Sequence, residues 1–236
     1  MELRNKLGLA DIHTHILPDF DDGAASVEEA LQMLRLEAEQ GITDVVLTPH
    51  FNLASESVKE FLARREKSFE LLSKRIKKSK INVNIHLGAE VRYYPSLINE
   101  DILNLCIGNT SYLLLELASS YPLNFEQTVN WMLSRGVTPI LAHIERYEYL
   151  YSNKKLMLEL LDSGVLFQCN ASSLLKFRTA KRVRKLLKQG YVHILASDAH
   201  NLTNRPPMLV QGLSKVGKFA DIMISNSQKV IKNELI

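Results

Sequence analysis

Two histidines spaced two residues apart form the first candidate site in this sequence. His13 and His15 lie in the run Ala10-Asp11-Ile12-His13-Thr14-His15, where a short β-rich segment ends. Residues two apart in a strand project to the same face, so both imidazoles can reach one metal ion from a stiff support. Taken alone, the pair is as compatible with two structural histidines as with a metal site.

Further candidate ligands follow other strand-like runs. They are His50, Glu90, Glu116, His143, Asp198 and His200. Because α/β barrels assemble active sites at the carboxyl ends of their strands, these side chains are expected to converge. Glu116 interrupts an apolar run, and a carboxylate in a buried strand is costly unless a cation or hydrogen-bond partner compensates it. The pattern therefore predicts a metal site.

The loop after the histidine pair adds two aspartates, Asp21 and Asp22, followed by Gly23. Either aspartate can serve as a loop-borne ligand, although an Asp-Asp-Gly turn is also ordinary loop chemistry. Position alone does not choose between them. His86 and His193 lie inside strand-like segments, away from the ends, and are interpreted as structural.

The elements that must position these residues alternate along the whole chain. Strands are predicted at 9–13, 44–48, 84–90, 112–117, 138–143, 165–170 and 192–197. A first helix is predicted from the capping-box spacing of Ser26 and Glu29 and from Gly41 at its end, with others at 56–78, 124–135, 154–163 and 179–189. Such alternation is typical of repeated βα units around a parallel sheet. We predict one α/β domain over residues 1–236, a distorted barrel of seven strands.

Composition excludes several classes of protein. The 236 residues are 46% hydrophobic and 23% charged, which is typical of a globular domain and not of a disordered chain. A net charge of +3 is too small for a dedicated nucleic-acid binder. Two cysteines without a CxxC pair, and the lack of an apolar signal core at 1–6, favour a cytoplasmic protein without membrane insertion.

Two stretches of the sequence are rich in lysine and arginine, at 64–80 and at 176–188. On amphipathic helices such charges usually form a solvated outer face, and that is the interpretation we adopt. Attraction of an acidic or phosphorylated partner is the alternative.

Seven motifs in order resemble those of the polymerase-and-histidinol-phosphatase (PHP) superfamily. They are Asp11-Ile12-His13-Thr14-His15, Asp21-Asp22-Gly23, Thr48-Pro49-His50, Gly88-Ala89-Glu90, Leu115-Glu116, Ala142-His143-Ile144-Glu145-Arg146-Tyr147 and Ser197-Asp198-Ala199-His200-Asn201. Within the superfamily the chain is most similar to the manganese-dependent protein-tyrosine phosphatases of the CpsB/YwqE type, which belong to capsule and exopolysaccharide operons. The resemblance implies the PHP fold, a distorted TIM-like (β/α)7 barrel.

The resemblance also implies a centre of three divalent metal ions. One ion would bind His13, His15, Glu90 and Asp198; a second would bind Glu90, Glu116 and His143; a third would bind Asp22, His50 and His200. Manganese is the expected metal, with iron, cobalt or zinc also compatible with the nitrogen and oxygen ligands. Arg146 and Arg205 match the positions of phosphate-binding arginines.

Such a centre is suited to cleaving a phosphomonoester. Four ionised carboxylates would leave three divalent ions with an excess of about +2, which suits a phosphate dianion, and a metal-bridging hydroxide would attack in line. Cysteine-based tyrosine phosphatases need an arginine six residues after the cysteine. Cys106 has Tyr112 there and Cys169 has Leu175, so that chemistry is excluded.

The expected function is dephosphorylation of phosphotyrosine in a protein, with the C-terminal tail of a membrane-associated bacterial tyrosine kinase as the substrate implied by the resemblance. Histidinol phosphate, or another small phosphomonoester, is the alternative substrate within the same superfamily, and an exonuclease-like activity is more distant. A non-catalytic barrel that only binds a partner is the alternative from another class. Lost ligands would favour that last reading, and no ligand of the family pattern is missing.

Overall fold

Parallel strands form the frame of the protein. The computed structural model describes residues 8–236. The N-terminal segment 1–6, for which the sequence predicts no signal core, lies outside the described residues. The strands are β1 (Leu9–Thr14), β2 (Ile42–Leu47), β3 (His50–Phe51), β4 (Asn84–Leu87), β5 (Glu90–Arg92), β6 (Tyr112–Glu116), β7 (Thr138–Leu141), β8 (Leu166–Asn170) and β9 (Ile194–Ala196). Every pairing between these strands is parallel.

The predicted strand 84–90 is broken into β4 and β5, and the predicted strand 44–48 corresponds to β2, which is followed by the unpredicted short strand β3. β2 and β3 are separated by Thr48 and Pro49, and β4 and β5 by Gly88 and Ala89. The breaks lie side by side, because Gly88 N–H donates to Leu47 O at 2.9 Å and Glu90 N–H donates to Pro49 O at 3.1 Å. Since proline has no N–H for the ladder, the interruption at Pro49 follows from the sequence. Seven predicted strands thus appear as two sheets, ordered β1-β2-β4 and β3-β5-β6-β7-β8-β9.

The first and last strands meet and curl the sheet into a barrel. Asp198 N–H donates to His13 O at 2.9 Å, and His15 N–H donates to Ala199 O at 2.8 Å. A parallel bridge between Thr14 and Ala199 continues this contact beyond the end of β9. The predicted fold class, an α/β protein with a distorted seven-position barrel, is confirmed.

Helices cover the outside of the barrel. They are α1 (Val27–Glu39), α2 (Val58–Ile76), α3 (Phe125–Ser134), α4 (Glu148–Tyr151), α5 (Lys154–Asp162), α6 (Phe177–Lys188), α7 (Leu209–Leu213) and α8 (Ala220–Lys232). All five predicted helices are present, with ends within two residues of the predicted ends where both were given. None of the helices in residues 8–236 has the length and apolar character needed to cross a membrane.

The cap of α1 differs in one detail from the prediction. Ser26 Oγ accepts from Glu29 N–H at 3.2 Å, but the Glu29 carboxylate accepts from Ala25 N–H instead of returning to Ser26. The full reciprocal capping box occurs at Ser57 and Glu60, where α2 begins. Gly41 ends α1 with a φ of 82°, as its place after the apolar stripe predicted.

Helix α8 was not anticipated from the sequence. Its Val230 is fully buried and packs in the cluster that fills the barrel interior, together with Ile12, Leu114 and Ile194. Its Asn226 Nδ2 also donates to His193 O at 2.9 Å. A second, larger cluster lies between the strands and the surrounding helices. The barrel interior is therefore filled largely with apolar side chains.

Candidate metal centre

The nine predicted metal ligands lie together at the carboxyl end of the barrel. They are His13, His15, Asp22, His50, Glu90, Glu116, His143, Asp198 and His200. Three overlapping groups hold their ligand atoms within 4.8 Å of one another: His15, Asp22, His50 and His200; His13, His15 and Glu90; and His50, Glu90 and Glu116. His143 and Asp198 join through contacts with Glu90 and His13. The structure thus brings the nine side chains together, while their binding of metal stays a prediction.

Two of these residues follow their strands with unusual backbone conformations. His143, after β7, has a φ of 36°, and Asp198, after β9, has a φ of 55°. Residues other than glycine seldom occupy this left-handed region, and such residues concentrate at functional sites. The surrounding structure therefore holds both side chains in place against their local backbone preference.

The ring orientation of His13 is fixed by Gln168 on β8. Gln168 Oε1 accepts from His143 N–H at 2.7 Å and lies 3.3 Å from His13 Nδ1. Gln168 Nε2 donates to Asn170 Oδ1 at 2.9 Å, which sets the orientation of the amide. Because the amide oxygen can only accept, His13 Nδ1 carries a proton and Nε2 is the nitrogen that faces the centre.

His15 and His200 are oriented in the same way by other acceptors. His15 Nδ1 donates to Asp21 Oδ2 at 2.8 Å, and that oxygen also accepts from His50 N–H at 2.9 Å. His200 Nδ1 donates to the main-chain oxygen of Asp198 at 3.0 Å. Both Nε2 atoms are therefore directed to the cluster, where each can bind a cation in exchange for any proton that it carries. Acceptors of this kind, placed behind a histidine, orient and strengthen it as a metal ligand.

His143 is backed by a tyrosine. Tyr147 Oη lies 3.2 Å from His143 Nδ1 and accepts from Leu117 N–H at 3.0 Å. Burial raises the pKa of Tyr147 well above its usual value, so the phenol stays neutral. If His143 binds a cation through Nε2, its Nδ1 must carry a proton, and Tyr147 Oη is positioned to accept a hydrogen bond from Nδ1–H.

Glu90 is the carboxylate shared by most of the cluster. Its Oε2 lies 3.3 Å from His13 Nε2, 3.2 Å from His15 Nε2 and 3.0 Å from His50 Nδ1. Its Oε1 lies 2.8 Å from His143 Nε2. Only 1% of the Glu90 side chain is exposed, so water does not screen these contacts. This position between the histidines is the one that a bridging ligand requires.

Asp198 completes the inner cluster from the opposite side. Its Oδ1 lies 3.4 Å from His13 Nε2 and 3.5 Å from His15 Nε2. Its Oδ2 accepts from Arg146 Nη2 and from Arg205 Nη2, each at 2.7 Å. The two carboxylate oxygens are thus divided, with one directed to the histidines and the other to the arginines.

The inner cluster fits a divalent cation. Glu90 Oε2, Asp198 Oδ1 and His200 Nε2 are buried and have no hydrogen-bond partner in the described part of the chain. Imidazole nitrogens and carboxylate oxygens at these distances need positive charge between them, which either protons on the histidines or a bound cation can supply. The nitrogen and oxygen donors, with no thiolate among them, suit manganese, iron, cobalt or zinc.

The electrostatics of the cluster point the same way. Burial lowers the pKa of His15, but the hydrogen bonds to Asp21 and Glu90 outweigh burial and raise it to about 10. Burial alone would raise the pKa of Glu90, yet the charge of His13 and hydrogen bonds from His13 and His143 hold it well below its usual range. The carboxylates therefore stay ionised and attract positive charge strongly.

The Asp-Asp-Gly loop separates the roles of its two aspartates. Asp21 faces inward and supports His15, whereas Asp22 is 64% exposed and places Oδ1 at 3.3 Å from His50 Nε2 and 3.4 Å from His200 Nε2. Asp22 is therefore the aspartate with ligand atoms in the cluster. Gly23 packs so closely that an added Cβ would lie 2.0 Å from His15 O, which explains the glycine.

Glu116 differs from its expected environment. Its side chain is 21% exposed, and Arg92 supplies a compensating cation in an ion pair at 2.9 Å, so Glu116 is less buried than the apolar run suggested. Its ligand atoms group with those of His50 and Glu90, and not with His143. Glu116 is partly exposed because it is the last residue of β6, where the strand opens to solvent.

The two candidate phosphate-binding arginines lie at the rim of the cluster. Arg146 is 46% exposed and Arg205 is 35% exposed, and both reach Asp198. Asn170 Nδ2 donates to the same Asp198 oxygen. The guanidinium groups thus combine access to solvent with a fixed position beside the ligands.

Sequence reasoning missed three supporting residues: Gln168, Asn170 and Tyr147. Gln168 and Asn170 are polar residues inside an apolar strand, the same signal that singled out Glu116. His86 and His193, predicted to be structural, do lie outside the cluster: His86 pairs with Asp44 at 3.1 Å, and His193 Nδ1 accepts from Phe167 N–H.

Neither cysteine is a nucleophile. Cys106 and Cys169 are free and buried. Burial raises the pKa of Cys106 to about 12 and raises that of Cys169 well above its usual value. Since only the thiolate attacks efficiently, the exclusion of cysteine-based chemistry agrees with the structure.

Comparison with known proteins identifies the family. The family model for capsular polysaccharide synthesis proteins CpsB/CapC matches residues 9–232. The chain belongs to the CpsB/CapC family. The tyrosine-protein phosphatase CpsB of Streptococcus pneumoniae is 32% identical over 254 residues, covering 97% of this chain and 100% of the relative. The resemblance found in the seven motifs is thus confirmed.

Two further comparisons extend over most of this CpsB/CapC chain. The tyrosine-protein phosphatase YwqE of Bacillus subtilis is 31% identical over 205 residues, covering 84% of this chain and 79% of the relative. A solved chain also aligns with a TM-score of 0.87 and 26% identity. It comes from the crystal structures of YwqE from Bacillus subtilis and CpsB from Streptococcus pneumoniae, which are described as unique metal-dependent tyrosine phosphatases. That alignment covers 97% of this chain and 96% of the solved one.

Replacing Asp21 by asparagine tests the support of His15. The amide loses the negative charge behind the imidazole, so the affinity for Mn²⁺ should fall by about 10- to 100-fold. Competition with a fluorescent chelator measures this affinity. Asp19→Asn is the matched control, because Asp19 is exposed on the same loop and asparagine tolerates its φ of 51°. Equal affinities for the two variants would contradict the assigned role of Asp21.

Proposed function

We propose that this chain is a metal-dependent protein-tyrosine phosphatase. The observation that carries the proposal is the convergence of five histidines on Glu90 and Asp198, beside two partly exposed arginines, at one end of the barrel. The family relatives named as tyrosine-protein phosphatases support the same activity. The donor set is that of a hydrolytic metal centre, and the rim is that of an anion site.

We infer that the centre holds three divalent ions, with manganese the expected metal. His13, His15, Glu90 and Asp198 would hold the first ion, and their short contacts support this group. Asp22, His50 and His200 would hold another, beside His15. Glu90, Glu116 and His143 would hold the remaining ion. The separate Oε1 contact of Glu90 with His143 supports a bridging role for Glu90.

The residues of the chain divide the work of hydrolysis. When bound, divalent ions would supply positive charge for the phosphate and make water acidic enough to act as the nucleophile. Asp198 keeps one oxygen for the ions and uses the other to hold Arg146 and Arg205 at the rim. The planar guanidinium groups then offer paired N–H donors to the phosphate oxygens, whose charge grows in the transition state.

The leaving group fits the proposed substrate. A phenolate with a parent pKa of about 10 departs more readily than an alkoxide, so phosphotyrosine makes a modest demand on acid catalysis. We propose a phosphotyrosine protein as substrate, specifically the C-terminal tail of a membrane-associated bacterial tyrosine kinase that controls capsule or exopolysaccharide synthesis. The name of the matching family supports the link to capsule synthesis. We also propose that residues 1–236 form one domain and that the protein acts in the cytoplasm.

Metal content and substrate preference test this function together. Purified protein should contain two to three transition-metal ions per chain by elemental analysis, and chelation should abolish a phosphatase activity that Mn²⁺ restores. The value of kcat/KM should be higher for a phosphotyrosine peptide than for histidinol phosphate. Activity that is indifferent to chelator would overturn the metal mechanism, and a large preference for histidinol phosphate would overturn the substrate.

Replacing Arg146 by alanine separates phosphate binding from metal binding. Because Arg205 and Asn170 continue to hold Asp198, metal content should stay unchanged. Loss of one preorganised donor should lower kcat by about 10²- to 10³-fold, and lysine at this position should restore only part of it. Steady-state kinetics and elemental analysis measure the two effects. A fall in metal content, with kcat per bound metal unchanged, would show that Arg146 only holds Asp198.

A further inference from the structure

Helix α6 forms one side of an open groove on the outside of the barrel. The apolar face of α6 is buried against the protein through Ala180, Val183, Leu186 and Leu187. Its other face, together with Tyr151 and neighbouring residues, borders a groove of about 1510 Å³, which we call the α6 groove. The groove corresponds to the second basic stretch of the sequence.

The α6 groove is strongly and uniformly basic. Eight lysines and arginines line it, and its lining contains no aspartate or glutamate. None of these eight cations forms an ion pair with a carboxylate in residues 8–236. On α2, by contrast, Arg64, Lys74 and Arg75 each pair with a glutamate. Lys59 and Lys67 on α2 also form no ion pair in residues 8–236, so the distinguishing feature of α6 is that eight such cations gather along one concave surface.

Apolar side chains accompany the charges of the groove. Leu175, which is 37% exposed, lines it, and Phe177 at the start of α6 is 96% exposed. Tyr151 stacks under the Arg182 guanidinium at 4.0 Å. Apolar surface next to unpaired cations is suited to a polypeptide with both acidic and apolar residues.

The groove begins next to the candidate metal centre. Arg182 Nη1 donates to the main-chain oxygen of Glu145, the residue immediately before Arg146, at 2.6 Å. The Glu145 carboxylate accepts from Asn170 N–H at 3.1 Å and from Ser173 Oγ at 2.7 Å. Arg182 thus connects the groove to the segment that carries Arg146. A chain bound in the groove would therefore lie beside the segment that carries Arg146.

We propose that the α6 groove binds an acidic segment of the substrate polypeptide, near the phosphotyrosine. The proposal rests on the proposed phosphatase function and adds the sequence context of the substrate. The eight unpaired cations supply charge complementarity, and continuity with the rim supplies the direction of the chain. An anionic membrane is a poorer fit, because the apolar face of α6 that would enter a bilayer is already buried in the protein.

Charge reversal on α6 tests the groove. The variant Lys181→Glu/Arg184→Glu/Lys188→Glu leaves Arg182 and its contacts intact. The matched control, Lys59→Glu/Lys67→Glu/Lys78→Glu, changes the same charge on and just after α2, at exposed lysines. The substrates are a phosphotyrosine peptide flanked by glutamates, the same peptide with glutamines, and para-nitrophenyl phosphate, each assayed with the full Mn²⁺-loaded enzyme.

Wild-type enzyme should prefer the glutamate peptide by about 10-fold or more in kcat/KM, mainly through KM and most strongly at low salt. The α6 variant should lose this preference and still hydrolyse para-nitrophenyl phosphate normally, whereas the control should keep the preference. Equal kcat/KM for both peptides in the wild type, or a preserved preference in the α6 variant, would overturn the proposal.

A binding measurement separates this proposal from the phosphatase function itself. Fluorescence anisotropy with an unphosphorylated, glutamate-rich peptide reports on the groove without catalysis, and binding should disappear in the α6 variant alone. If that peptide binds while no phosphotyrosine peptide is hydrolysed, the groove stands and the phosphatase proposal fails. If the wild type instead sediments with phosphatidylserine vesicles through α6 and ignores the peptide, the groove proposal is overturned in favour of a membrane surface.

Discussion

Acceptors behind the histidines determine the chemistry of this protein. His13 Nδ1 donates a hydrogen bond to Gln168, and His15 Nδ1 donates one to Asp21. His200 Nδ1 donates to the main-chain oxygen of Asp198. Each ring therefore turns its Nε2 to the ionised carboxylates of Glu90 and Asp198. Buried carboxylates of this kind need positive charge beside them, so the proposed metal centre depends on the hydrogen bonds that orient the histidines.

The barrel supplies the precision that these contacts need. β1 and the segment after β9 are joined by main-chain hydrogen bonds at His13, His15 and Asp198, the residues whose side chains meet. The paired breaks at Pro49 and Gly88 let the backbone turn before His50 and Glu90. The strands thus hold the candidate ligands in fixed positions relative to one another. Arg146 and Arg205 are held in place at the rim by their contacts with Asp198.

Much of this arrangement follows from sequence, because strand ends in a parallel barrel must meet at one edge. The strand positions, the nine candidate ligands and the family resemblance all came from local patterns and motif order. Other features depend on contacts between distant residues: the support of His13 by Gln168, the support of His15 by Asp21, and the partner of Glu116. Spacing along the chain carries no record of these contacts, and α8 lacked a recognisable start signal because no side-chain cap begins it.

The central claim is that the Nε2 atoms and the two inner carboxylates hold the metal ions. Anomalous diffraction from Mn²⁺-loaded crystals at the manganese absorption edge tests it most directly, because the peaks locate each ion independently of activity. The account predicts a peak coordinated by Nε2 of His13 and His15 together with Glu90 and Asp198. Peaks lying only outside this cluster, or coordination of these histidines through Nδ1, would contradict it.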